Sequence, residues 1–134
     1  MRYEDVELGD DLPPAHPDVS LDKVKLFASA SGMFNMKRFT DHEYARGEGF
    51  AGAIVPGIMS QGLLAAMVHR WAPGARIQKL DTVFRTPVLV DSTPTCSGAV
   101  TDTDDNAHTV EIDLTLINED GSTGVLGTAI VELD

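Results

Sequence analysis

A chain of 134 residues and 14.4 kDa falls within the size range of one domain, long enough to bury a sizeable core. Hydrophobic residues make up 43% and charged residues 23%, with 12 Gly and 7 Pro, a balance that excludes a disordered polymer and a collagen-like or low-complexity chain. Ten Lys and Arg against 21 Asp and Glu leave a net charge of -11. That field repels phosphate backbones and anionic lipid, so neither nucleic acid nor a membrane surface is an expected partner.

No run approaches the roughly 20 apolar residues of a bilayer span, and Met1–Asp5 lacks the apolar core of a signal peptide. A soluble, cytoplasmic protein is expected. The lone cysteine, Cys96, lies between Thr95 and Ser97 in a strand-like run, where it reads as a packed, inert thiol.

In chain order, Tyr3 to Pro14 reads as a short acidic strand ending at Gly9-Asp10-Asp11, followed by a turn rich in proline at Pro13, Pro14 and Pro17. Ser20 then caps an apolar stripe of near-helical spacing, which predicts a helix from Leu21 to Ala30 stopped by Ser31-Gly32. From Gly32 to Gly57 the period is lost. A loop of that length in a small domain points to function, and within it Asp41 caps a short helix through His42–Arg46 ended by Gly47.

Pro56-Gly57 opens the most apolar segment, Ile58 to Trp71, which reads as a helix buried nearly all round and closed by Pro73-Gly74. Strands are expected at Arg76–Leu89, interrupted by Pro87, and at Thr95–Thr101, His108–Asn118 and Thr123–Leu133. Glu119-Asp120-Gly121-Ser122 is the turn of a hairpin. One long helix and several antiparallel strands describe an α+β domain over residues 1–134, with a curled sheet wrapped around the central helix in the hot-dog architecture. An open sheet edge calls for at least a dimer.

The runs Ser31-Gly32-Met33-Phe34-Asn35, Phe39-Thr40-Asp41-His42-Glu43-Tyr44-Ala45-Arg46, Gly49-Phe50 and Ile54-Val55-Pro56-Gly57-Ile58-Met59 resemble the MaoC-like dehydratase and (R)-specific enoyl-CoA hydratase family. The opening Tyr3–Asp10 is similar to that family's usual start. The resemblance covers nearly the whole chain. It implies a hot-dog fold and the addition or removal of water on an acyl thioester carried by coenzyme A or a carrier protein. An Asp and a His of the loop would move the proton, and backbone N–H groups at the start of the central helix would polarise the thioester oxygen.

Both proton-transfer positions depart from the family pattern. Met33 stands where the acid is expected and Phe39 where the base is expected; an ungapped alignment from Gly32 places Arg38 at the base position instead, and an arginine stays protonated at any working pH. The resemblance leaves no catalytic residue in place, but it keeps Asn35, Gly57 and Ile58 as substrate-binding positions. Pro56 replaces the usual His before Gly57 and is at ease at a helix start.

The four histidines are the remaining candidates for a proton-transfer group. His42 follows Asp41 at a helix start and reads as a capping or exposed residue; His69 ends the central helix, and His16 and His108 lie in turns. No His, Cys, Asp and Glu spacing suits a metal, and no cofactor is indicated. Met67 and Trp71 read as core rather than a stacking pair. Arg76, Lys79 and Arg85 concentrate scarce positive charge in one strand region, where they face coenzyme A phosphates or solvent.

Taken together, the resemblance implies a catalytically silent subunit that pairs with a competent MaoC-like partner in a heteromeric enoyl-CoA hydratase or acyl dehydratase, or failing that a homodimer. Small residues at Ala51-Gly52-Ala53 and through Gly62–Ala66 suit a roomy tunnel for a steroid or long-chain acyl thioester. Two alternatives stand beside it: a self-sufficient hydratase using Asp41 and His42, and a non-enzymatic acyl-thioester binding module.

Overall fold

A computed structural model describes residues 1–134. A 3-10 turn at Tyr3–Asp5 is followed by β1 (Asp11–Ala15), α1 (Leu21–Ala30), α2 (Lys37–Thr40), α3 (His42–Gly47), α4 (Gly57–Trp71), β2 (Arg76–Phe84), β3 (Thr95–Asp104), β4 (Thr109–Ile117) and β5 (Thr123–Glu132). The strands form one antiparallel sheet in the order β1-β3-β4-β5-β2. Helix α4 touches β1, β2, β3 and β4, so the sheet curls around it.

The alternation in β4 sets the core. Val110, Ile112, Leu114 and Leu116 are all buried, and they stand opposite Val131, Ala129, Gly127 and Val125 of β5. Each aliphatic side chain of this kind removed from water contributes about 1.5–3 kcal/mol. Leu114 needs glycine on the next strand: a Cβ at Gly98 would lie 3.0 Å from its Cδ2. The facing stripe of α4 is Met59, Ser60, Leu64, Met67 and Val68, the i, i+4, i+7, i+8 spacing of a helix laid on a sheet.

Three expectations are corrected. Residues 3–10 form a 3-10 turn and loop rather than a strand, and the strand is instead β1, through Pro13 and Pro14. Proline fits there because β1 is an edge strand, paired with β3 alone, and its register shifts between Leu12 and Ala15. The expected strand through Leu89 ends at Phe84, and Arg85 N–H turns to donate to the Gly124 carbonyl at 2.8 Å.

The third correction concerns α4. Its helix is where the sequence puts it, but the chain buries only one face of it. Ile58 is 60% exposed, Gly62 is exposed, and Leu63, Ala65 and Ala66 are half-buried. An apolar helix face without cover within its own chain is the pattern of a surface awaiting a neighbour. No helix of the chain is long and apolar enough to cross a membrane.

Candidate functional site

The segment between Gly32 and Pro56 is less irregular than its composition suggests, because α2 and α3 run through it. Met33 N–H donates to the Ala28 carbonyl at 2.7 Å, closing α1 beside Gly32, whose φ of +79° suits only glycine comfortably. The Met33 side chain is half-buried against the core, and Phe39 is only 8% exposed and belongs to it. Neither side chain can transfer a proton. Asn35 is exposed between α1 and α2, makes no side-chain hydrogen bond and lines none of the larger cavities. Arg38 points to the surface, where Nη2 donates to Glu48 Oε2 at 3.2 Å.

The displaced candidates are both engaged. Asp41 Oδ1 accepts from Tyr44 N–H at 3.1 Å and caps α3. His42 Nδ1 accepts from Ala53 N–H at 3.0 Å, so the ring proton sits on Nε2, which donates to Asp91 Oδ2 at 2.8 Å. Asp91 in turn accepts from Leu21 N–H at 2.8 Å, at the start of α1. The hydrogen bond from His42, and after it the one from Leu21, hold the Asp91 carboxyl below the usual carboxylate range. With both nitrogens occupied, His42 has no lone pair left to take a proton from substrate.

The first turn of α4 is different. Pro56 offers no side-chain cap, and none of the Gly57, Ile58 and Met59 N–H groups has a backbone or side-chain acceptor within the chain. The approach to this turn is fixed by Val55 N–H donating to the Val88 carbonyl at 2.7 Å and Val90 N–H to the Ala53 carbonyl at 2.9 Å. Below it lies a cavity of about 330 Å³, lined by Gly57, Ser60, Phe84, Arg85, Val88 and Val125 among others. The ring of Phe84 lies over Gly57, where a Cβ would come within 3.1 Å of Cζ. Three free N–H groups at the positive end of a 15-residue helix are suited to hold a carbonyl oxygen or an anion.

Of the substrate-binding expectations, Gly57 lines this cavity, Ile58 extends its side chain to solvent, and Asn35 lies outside it. Among the strand cations, Lys79 Nζ pairs with Asp81 at 3.3 Å, and Arg85 stands at the cavity without an ion-pair partner in the chain. Ser60 and Asp91 escaped the sequence reading. Ser60 shares the stripe of Leu64, Met67 and Val68, a signal present in the spacing, whereas no pattern links His42 to Asp91 across 49 positions.

A larger cavity, about 570 Å³, lies toward the other end of α4 between Pro13–Asp18 and Leu63, Met67, Arg70 and Trp71, and it includes none of the expected site residues. Cys96 is fully buried, and burial pushes its thiol up to about 11, so it is no nucleophile at neutral pH. His108 stacks on Tyr3 with ring centroids 4.9 Å apart, and His69 is exposed in the last turn of α4. No three His, Cys, Asp or Glu side chains are grouped to hold a metal ion.

A family model described as MaoC like domain matches residues 10–120. The chain is similar to the (R)-hydratase from A. caviae involved in PHA biosynthesis, at 23% identity and a TM-score of 0.89 over 96% of this chain and 98% of that one. It is similar also to a chain of the ChsH1-ChsH2 complex from Mycobacterium tuberculosis, at 23% identity and a TM-score of 0.86 over 96% and 99%. A chain of the HadBC (3R-hydroxyacyl-ACP dehydratase) complex from the same organism matches at 18% identity and a TM-score of 0.73 over 92% and 96%. No curated protein sequence matches. These likenesses establish the hot-dog fold expected from the sequence.

Proposed function

As the chain belongs to the MaoC-like domain family, we propose that it is the catalytically silent half of a heteromeric acyl-thioester hydratase or dehydratase of the cytoplasm, its partner supplying the proton-transferring pair. The observation that carries this reading is the state of the loop. Met33 and Phe39 pack into the protein, while Asp41 and His42 are bound to backbone and to Asp91. A self-sufficient hydratase built on Asp41 and His42 is left without a free imidazole.

What the chain retains is the means to hold a thioester. The Gly57 and Ile58 N–H groups are free at the helix start and can donate to the carbonyl oxygen as charge builds on it. Arg85 stands beside the same cavity as a counter-charge for the phosphates of coenzyme A or a carrier protein.

Two features support a partner of the same fold. The outer edge of β2 is unpaired, and Phe84 at its end is 54% exposed beside Gly57 at the start of α4. A second subunit pairing along β2 would cover that edge and the open face of α4 together. The solved relatives include complexes of two different chains by their own names, ChsH1-ChsH2 and HadBC. A long or steroidal acyl chain would then run along Gly62, Ala65 and Ala66 under the partner, where small side chains leave room.

The test is hydration of a short and a bulky enoyl-CoA by the purified chain, alone and with any co-purifying partner. Turnover is expected only in the mixture. Turnover by the chain alone at an ordinary enzymatic rate, about 1–10³ per second, overturns the reading.

A further inference from the structure

The larger cavity, about 570 Å³, has the size of a small-molecule site and includes none of the residues at the start of α4. One wall is the C-terminal half of α4, where Leu63, Met67, Arg70 and Trp71 share a face at i, i+4, i+7 and i+8. The other is built by Pro13, Pro14 and Pro17, whose rings hold φ fixed and bring no N–H that needs a partner. The apolar surface is therefore in place before a ligand arrives, which lowers the cost of ordering it. β1, which carries Pro13 and Pro14, is at the opposite margin of the sheet from β2, so the cavity lies away from the edge at which a partner subunit would pair.

Three polar groups stand on this apolar ground. Arg70 is exposed in the last turn of α4. Although the chain has 21 Asp and Glu against 10 Lys and Arg, its guanidinium makes neither an ion pair nor a hydrogen bond within the chain. Its planar fork of N–H donors is thus free, and that fork matches the two oxygens of a carboxylate. His16 Nδ1 lies 3.4 Å from Thr95 Oγ1, which leaves Nε2 without a partner. Asp18 accepts from Ser20 N–H at 2.9 Å, and this bond holds its carboxyl below the usual carboxylate range. A ligand with several negative charges would meet Asp18 and the field of a chain of net charge -11. One negative charge on an apolar body suits both the fork and the walls.

We propose that this cavity is a second ligand site, which takes an apolar monocarboxylate of the fatty-acid kind: Arg70 pairs with the carboxylate, and the hydrocarbon lies between Trp71, Met67 and Leu63 and the prolines. The site is separate from the start of α4 and stands whether or not a thioester binds there. An acyl thioester has no free carboxylate, so the two sites tell an acid from its activated form.

Trp71 is the only tryptophan of the chain, so its fluorescence reports on this cavity. Octanoate added to the full-length chain, well below micelle formation, is expected to shift the Trp71 emission in a saturable way. Octanol, equally apolar but uncharged, is expected to bind about fivefold more weakly, the worth of one charge pair open to water. Arg70→Gln removes that preference by weakening octanoate alone, whereas Arg70→Lys keeps most of it. Both variants should melt close to the wild type, because Arg70 bonds to nothing else in the fold. No saturable shift with octanoate, equal affinity for octanoate and octanol, or a preference that survives in Arg70→Gln overturns the inference. Displacement of octanoate by coenzyme A at comparable concentration overturns it too, since Arg70 is then a phosphate anchor.

Discussion

In the loop before α4, Asp41, His42 and Arg38 are each bound to a specific partner within the chain, whereas the first turn of α4 leaves three N–H groups and a buried hydroxyl without one. The two regions adjoin, yet one uses its polar groups to hold structure and the other holds them ready. The difference matters because stability and recognition make opposite demands on a polar atom. A group satisfied inside the protein stabilises it and is lost to chemistry, while a group left unsatisfied costs stability and gains a ligand. The loop of this chain stands on the first side and the helix start on the second.

The largest expected effect that tests this contrast is on Phe39. If the expected base position is now core, Phe39→Ala should lower unfolding stability by about 3 kcal/mol in urea denaturation. A loss below about 1 kcal/mol would mean that the ring is a loose cover over a site rather than part of the packing.

Gly57 probes the other region. Gly57→Val would press on the ring of Phe84, 3.1 Å from an added Cβ, and would hood the free N–H groups. Because Phe84 is 54% exposed and can swing away, the melting temperature should move little. Butyryl-CoA affinity, read by calorimetry, should fall about tenfold, as for one lost hydrogen bond. Unchanged affinity would show that the thioester lies elsewhere.

An effect of similar size belongs to His42, and its pH signature is smaller still. His42→Ala leaves the N–H of fully buried Ala53 without its acceptor, for a loss of about 1–2 kcal/mol. The wild type should also show a pH signature here. The Asp91 carboxyl lies below its ordinary value in the folded chain, so its stabilisation is complete above the unfolded value of about 3.9 and is lost as pH falls through the folded one. In His42→Ala that acid-side loss, followed by urea midpoints between about pH 5 and 2, should be shallower, because the main cause of the depression is gone.

Much of the scaffold was legible. The bounds of α1, the cap of α3 by Asp41, the extent of α4 and the hairpin turn at Gly121, with φ +87°, all follow from local residue chemistry. β1 was hidden because Pro13 and Pro14 signal a turn, and only its position at the sheet edge makes them tolerable. That Met33 and Phe39 carry no group able to move a proton is plain from the residues themselves. The engagement of His42 is not, since it depends on Asp91, a residue at left-handed φ +65° in a turn that no periodicity announces. The partial burial of α4 has a plain reason: apolar residues tell what is to be covered, not which chain covers it.

The proline-bearing strand has a consequence for how the protein behaves when crowded. Pro13 and Pro14 carry no N–H, so β1 is short of the donors that another strand would need. Only the β2 margin remains fully equipped for pairing. A sheet that can grow from one side alone gains a single neighbour and then stops, so strand addition ends in a closed pair, and the route from edge pairing to a fibre is blocked at its second step.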